Sequence, residues 1–262
     1  MSLALDLYLA PTDGLAASDL SALADLLDAA ESARAARLPE GPTRRDFVAA
    51  HGLARHVLSH HRPALPPIEW RFTTGPHGKP SPVDADGLAF TLSHGAGLVA
   101  IAAAEGMEVG VDVEPLSAEA DMERIAPVFC APDERVALSV MAPEERRAAL
   151  LALWTLKESL VKAVGRGFSL SPQDISCAFA PCELVRWPLG GKAPFAFLAR
   201  LDREGAHGAF ADGFQVAVAA LTTAPPMLRV HWVNDLGGGL ALTSGAALAA
   251  AFRPVGIGRS GV

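Results

Sequence analysis

Two carboxylates stand one residue apart in Val109-Gly110-Val111-Asp112-Val113-Glu114. Apolar and acidic residues alternate there, so a β-strand puts Asp112 and Glu114 on one face and Val111 and Val113 on the other. Paired acids on one face repel unless a cation lies between them. A hard divalent ion such as Mg²⁺ suits the pair, because it takes one or two carboxylates and fills its shell with waters and substrate phosphates. An edge strand with an acidic outer face satisfies the same pattern, so a second segment has to decide.

That segment is a long helix expected over Pro143 to Val164, with Glu144 and Glu145 in its first turn and Gly165-Arg166-Gly167 stopping it. On a wheel of ~100° per residue, Leu150, Leu153, Trp154, Leu160, Val161 and Val164 share one arc, and Lys157 falls in the middle of it. Glu158 lies at the margin with Lys162 one turn on. A lysine centred on an apolar stripe either runs its stem past the core or meets a fixed anion. Glu158 and Lys162 also fit an ordinary surface pair. Together the two segments offer three carboxylates and two lysines, the set that a metal-bound diphosphate requires.

Composition narrows the rest. Half of the 262 residues are hydrophobic, which is enough for a large globular core. A net charge of −7 argues against a nucleic-acid-binding protein. Cys130, Cys177 and Cys182 are too few and too scattered for a disulfide framework or structural zinc, and read as reduced cysteines of a cytoplasmic protein. No apolar run approaches the ~20 residues that span a bilayer, and the first residues do not resemble a signal peptide.

The elements that carry these groups follow from periodicity. A strand is expected over Leu3 to Leu9, then a helix capped by Ser18 or Asp19 with Leu20, Leu23, Leu26 and Leu27 on its buried stripe, broken by Pro39 to Pro42. A second helix runs from Thr43 to His60 and carries Arg44, Arg45 and Arg55, with His51 at the edge of its apolar stripe. Strands follow at Ile68 to Thr73, Leu88 to Leu92 and Leu98 to Ala103; a loop ending in Gly78-Lys79-Pro80 separates the first two, and Ser93-His94 ends the second. Short helices are expected at Met122 to Phe129 and Pro132 to Val140, and strands at Asp174 to Phe179, Pro194 to Leu201 and Gly213 to Leu221. The last strand echoes Gly97 to Ala103, which suggests two similar halves meeting near Glu105. Beyond Pro225 the pattern fades.

Gly110-Val111-Asp112-Val113-Glu114, followed some forty residues on by Trp154-Thr155-Leu156-Lys157-Glu158-Ser159-Leu160-Val161-Lys162, resembles the two signature motifs of the 4′-phosphopantetheinyl transferases. Phe72 to Pro80, Phe90 to His94 and Gly165 to Leu170 are similar to further family motifs, in the order of the larger, monomeric class that activates polyketide and nonribosomal peptide synthases. The resemblance implies an α+β fold of two similar subdomains, a pseudodimer. Each would be a small, mainly antiparallel sheet packed with helices, with the active site at their interface. Residues 1–105 and 106–224 would be the two subdomains and 225–262 an extension. It also implies transfer of the phosphopantetheine arm of coenzyme A to a serine of an apo acyl or peptidyl carrier protein, with release of adenosine 3′,5′-bisphosphate and no nucleic acid or membrane as partner.

By the same resemblance Asp112, Glu114 and Glu158 would hold Mg²⁺ or Mn²⁺, with Asp112 also contacting the coenzyme. Glu158 would accept the serine proton, directly or through water, and Lys162 would stabilise the phosphate charge. Lys79, Ser93, His94, Lys157 and Arg44 or Arg45 would bind coenzyme A. Two departures bear on the arginines: His51 stands where many relatives carry Arg, and Asp46 where a basic residue is frequent. A coenzyme-binding protein without turnover and a metal-dependent phosphodiesterase are the competing readings of the same acidic cluster.

Overall fold

A computed structural model describes residues 3–85, 87–179, 182–189, 194–201, 213–235 and 240–257. Along the first half, β1 (Ala4–Pro11) is followed by α1 (Ala17–Ala24), α2 (Ala29–Arg37) and α3 (Pro42–His61), then β2 (Phe72–Thr74), β3 (Pro80–Pro82), β4 (Leu88–Gly95) and β5 (Leu98–Glu105). The second half repeats the plan: β6 (Glu108–Pro115), then α4 (Glu119–Phe129), α5 (Pro132–Ser139) and α6 (Pro143–Val164), then β7 (Ser176–Phe179), β8 (Cys182–Arg186), β9 (Pro194–Leu201) and β10 (Phe214–Leu221). Last come β11 (Met227–Asp235), β12 (Ala241–Ser244), α7 (Ala246–Ala251) and β13 (Arg253–Ile257).

The sheets run β12-β11-β1-β5-β4 and β6-β10-β9-β13-β8-β7. In each, the closing strand of its half, β5 or β10, lies antiparallel between the opening strand and the one before it. The echo between Gly97–Ala103 and Gly213–Ala219 therefore marks equivalent central strands. The fold is mixed α and β, with two similar halves, as the sequence implies.

Period-2 alternation explains how the layers stack. Leu5, Leu7 and Leu9 of β1 join Val109, Val111 and Val113 of β6 and Val216 and Val218 of β10 in a core shared by the two sheets. The opposite face of the first sheet carries Tyr8, Val99 and Ile101 and packs on α3 through Phe47, Ala50, Leu53 and Val57. The opposite face of the second sheet packs on α6 through Leu150, Leu153, Leu156 and Leu160. The order is helices, sheet, sheet, helices, and Asp112 and Glu114 lie on the face of β6 turned towards α6, opposite Val111 and Val113.

Several expectations need correction. The helix expected from Ser18 or Asp19 onward is two helices. Its first part is capped without a side chain by Ala16, and Asp28 with Glu31 forms a capping box that restarts the chain as α2. Pro67–Glu69 is a 3-10 turn, so the strand expected from Ile68 begins only at Phe72. Ser93 and His94 lie inside β4, which continues to Gly95. The chain beyond Pro225 is built into both sheets: β11 pairs parallel with β1, and β13 inserts between β9 and β8. Asp6, buried in β1, fastens that return by accepting from Arg229 and from His231 (2.7 Å). No helix among the described residues is long and apolar enough to cross a membrane.

Candidate active site at the seam of the two halves

The site is built by a close approach of α6 to β6. Gly110 permits it: a Cβ there would overlap the Ser159 carbonyl oxygen and the Ala163 amide nitrogen. With the helix backbone seated on Gly110, side chains from the last turns of α6 meet those two and four residues further along the strand. Lys162 donates to Asp112 Oδ1 at 2.7 Å and to Ser93 Oγ at 3.1 Å, while Ser93 donates to the same Asp112 oxygen at 3.0 Å. Ser93 belongs to the first half, Asp112 and Lys162 to the second. Asp112 is 4 % exposed, and its other oxygen, Oδ2, is buried without a partner. An orphaned carboxylate oxygen in a polar site is an invitation to a cation or water.

Glu114 accepts from Trp154 Nε1 at 2.8 Å, which fixes its carboxylate on the α6 side. Burial, then the negative charge of Asp112, raises the pKa of Glu114, with the Trp154 hydrogen bond and Lys162 opposing. Burial and Asp112 raise Glu158 in the same way, against Lys162. Glu114 and Glu158 both feel Asp112 as a negative neighbour, and Lys162 opposes that effect without reversing it. Among the described residues no three His, Cys, Asp or Glu side chains converge as a ready-made metal cage.

Beside this cluster opens a cavity of ≈ 650 Å³ lined from both halves, by α2, α3, β2, β4 and the end of α6. Its far wall is cationic and aromatic. Arg34 sits over the Phe47 ring at 5.2 Å, His51 packs on the same ring at 4.1 Å, and Arg55 sits over Phe72 at 4.8 Å. One carboxylate, Glu31, holds two of them: it accepts from His51 Nδ1 at 2.8 Å and from Arg55 Nη2 at 2.7 Å. Arg55 is 1 % exposed and its Nε has no partner. A hollow of ≈ 750 Å³ on the other side of Lys79 and Phe90 has Lys79 for its cation and Asp84 and Glu108 for its acids, and none of the three central carboxylates.

The other residues singled out in the sequence separate into those that reach the cavity and those that do not. His94 and Lys79 line it. Burial, helped by His51, lowers the His94 pKa to about 4, so at neutral pH the free protein offers an uncharged imidazole. The Lys79 stem lies against Gly165, the left-handed cap of α6 (φ 70), while its ammonium donates to the Ala163 carbonyl (2.9 Å) and to Glu108 (2.6 Å). That ammonium caps the helix end as it stands.

Arg44 donates to the Leu38 and Ala36 carbonyls at the end of α2, and Arg45 pairs with Asp13 and Asp46; neither lines the cavity. Asp46 is structural, accepting from Thr12 and from the Gly97 amide (3.0 Å). Lys157 does not reach the site either. It is 0 % exposed and pairs with Glu134 at 2.6 Å, so the fixed anion it meets lies in the core. The sequence reading missed Glu31 and Arg34. It passed over Arg55, although Phe47, His51 and Arg55 follow one another at i,i+4 on one face of α3.

Comparison with known proteins bears on the family of the chain. A family model described as the 4′-phosphopantetheinyl transferase superfamily matches residues 108–218, which contain both acidic segments. The chain is 32 % identical over 169 residues to the 4′-phosphopantetheinyl transferase HetI of Nostoc sp., covering 63 % of this chain and 70 % of that one. It is 30 % identical over 171 residues to the 4′-phosphopantetheinyl transferase AcpT of Escherichia coli K12, covering 63 % and 83 %. It is 33 % identical over 127 residues to the 4′-phosphopantetheinyl transferase Sfp of Bacillus subtilis, covering 47 % and 54 %. Among solved structures, the Thermotoga maritima holo-[acyl-carrier-protein] synthase aligns with a TM-score of 0.34 at 20 % identity, over 45 % of this chain and 65 % of that one, too loosely to add to the argument. The chain belongs to the 4′-phosphopantetheinyl transferase superfamily and is an enzyme of that type.

Proposed function

We propose that this enzyme moves the 4′-phosphopantetheine arm of coenzyme A onto a serine of an apo acyl or peptidyl carrier protein, with a divalent ion bound by Asp112, Glu114 and Glu158, and releases adenosine 3′,5′-bisphosphate. One observation carries the reading. Asp112 is buried with one oxygen held by Lys162 and Ser93 and the other orphaned, between two carboxylates whose charges it disfavours. Those donors fit Mg²⁺ or Mn²⁺, which when bound would polarise a diphosphate and neutralise charge on it.

The chain's own residues do the rest. Lys162, 31 % exposed beside Asp112, carries positive charge to a phosphate next to it. The raised pKa of Glu158 brings it nearer to the range in which a carboxylate takes up a proton, here the one leaving the serine hydroxyl. Arg34 and Arg55 offer guanidinium charge to a phosphorylated nucleotide, His51 offers a ring, and His94 adds an N–H donor. Phosphoryl transfer needs mainly this positioning and charge balance.

Both halves contribute to one site within one chain, which supports a monomeric enzyme. The three unpaired cysteines suit a reducing cytoplasm. Carrier domains of polyketide and nonribosomal peptide synthases are the proposed clients.

The test is intact-mass analysis of an apo carrier domain incubated with the protein, coenzyme A and Mg²⁺. One phosphopantetheine added, and none with Asp112→Asn at equal folded concentration, is the expected result. No mass gain on any of several carrier types refutes the reading.

A further inference from the structure

Among the described residues of the second half, one fully buried ion pair takes no part in that chemistry. Lys157 and Glu134 are both 0 % exposed by side chain and 2.6 Å apart. Lys157 also donates to the Phe129 carbonyl at 2.9 Å. Glu134 Oε2 accepts from the Ala131 amide at 2.7 Å, and its Oε1 from the Cys177 amide at 2.8 Å. One pair thereby ties together the end of α4, the start of α5, α6 and β7. Core filling does not require it, since apolar side chains of similar volume commonly replace a buried ion pair without loss of stability. What charges add is fixed direction and length between the four elements.

Two routes lead from that knot to the acidic cluster. Glu158 is the next residue on α6, and the helix is clamped on its other side by the contact of Ser159 and Ala163 with Gly110. Phe129, whose carbonyl Lys157 holds, packs its ring on Trp154 at 5.3 Å, and Trp154 holds Glu114 at 2.8 Å. Rotation of α6 would carry Glu158 away from Asp112, and withdrawal of α4 would free the Trp154 indole that holds the Glu114 carboxylate, while β6 keeps the backbone of Asp112 and Glu114 in place.

We infer that the Glu134–Lys157 pair is a positioning device that sets Glu158 and Glu114 against Asp112, an inference that rests on the reading of these acids as a divalent-ion site. Neither residue touches the ion or the coenzyme. The pair acts through the helix and through Phe129 and Trp154, as supporting residues around metal ligands do.

The experiment compares wild type with the double variant Glu134→Leu, Lys157→Met. Folding is followed by circular dichroism and thermal unfolding, and Mn²⁺ binding by electron paramagnetic resonance in the presence of coenzyme A, without turnover. A folded variant whose Mn²⁺ dissociation constant is about tenfold or more above wild type supports the inference. A folded variant within twofold of wild type overturns it and leaves the metal reading intact. Wild type that binds no Mn²⁺ overturns both. If the double variant does not fold, Lys157→Met alone takes its place with the same criteria, because a neutral Glu134 keeps its two backbone donors.

Discussion

Replacing Glu31 with Gln removes one negative charge from the cavity wall and keeps the side chain's shape and its role in the capping box of α2, which Gln also serves. Burial alone would raise the Glu31 pKa, but hydrogen bonds from His51 and Arg55 bring it from 4.5 down to about 2. At about 1.4 kcal/mol per pKa unit that fall corresponds to about 3 kcal/mol, and screening of a side chain still 16 % exposed reduces it to about 2 kcal/mol. Because the folded value lies below the unfolded one, this stability is present above pH 4.5 and is lost as pH falls through about 2. Urea unfolding at pH 7 should therefore place Glu31→Gln about 2 kcal/mol below wild type, with less than half of that gap left at pH 3. In thermal unfolding at pH 7 the loss should appear as about 4–8 °C. A gap under about 0.5 kcal/mol at pH 7, or one of equal size at pH 3, would refute the claim that this carboxylate holds the cationic wall together.

Gly110→Ala should unseat α6 from β6, costing about 1–3 kcal/mol in urea unfolding and abolishing carrier modification even where the protein remains folded by circular dichroism. His94 should titrate near pH 4 in imidazole NMR spectra of the free protein, not near 6.5. Since the unfolded histidine takes up its proton first, this group should lower stability as pH falls from 6.5 to about 4, and adenosine 3′,5′-bisphosphate should raise its pKa. Ending the chain after Thr223 removes β11 from β1 and β13 from between β9 and β8. Size-exclusion chromatography should then show aggregate in place of folded protein.

Legibility in the sequence followed the range of the forces involved. The strand of Asp112 and the helix of Glu158 are strongly periodic, and α6 runs over the span the sequence implies, Pro143–Val164. The echo between β5 and β10 was visible because both central strands are buried on two faces and so carry the same run of small apolar residues. What stayed hidden depends on partners distant in the chain. Lys157 stands on an apolar arc in either reading, and only folding shows that Glu134 is its anion. Arg44 and Arg45 look like cations for a ligand until Leu38, Asp13 and Asp46 claim them. The strands beyond Pro225 have little pattern of their own because their register is set by β1 and β9, laid down far earlier in the chain.

The seam location has a consequence for which residues control chemistry. Asp112 and Glu114 have their backbone fixed by pairing of β6 with β10, with Asp112 opposite Ala217 and Glu114 opposite Gln215. Ser93, which shares the Asp112 oxygen with Lys162, is fixed by pairing of β4 with β5 in the other sheet. The two ladders are separate, and the side chains of the shared core lie between them, with Leu98 and Ala100 of one sheet in the same cluster as Val111 and Val113 of the other. Protein interiors are close-packed and resist compression, so the core spacing is a stiff coordinate. A volume change there, far from any ionisable group, shifts Ser93 and the cationic wall of α2 and α3 relative to the three acids. The small alanines of β5 are thus part of the site's geometry, because they let the two sheets come close enough for one aspartate to take hydrogen bonds from both halves.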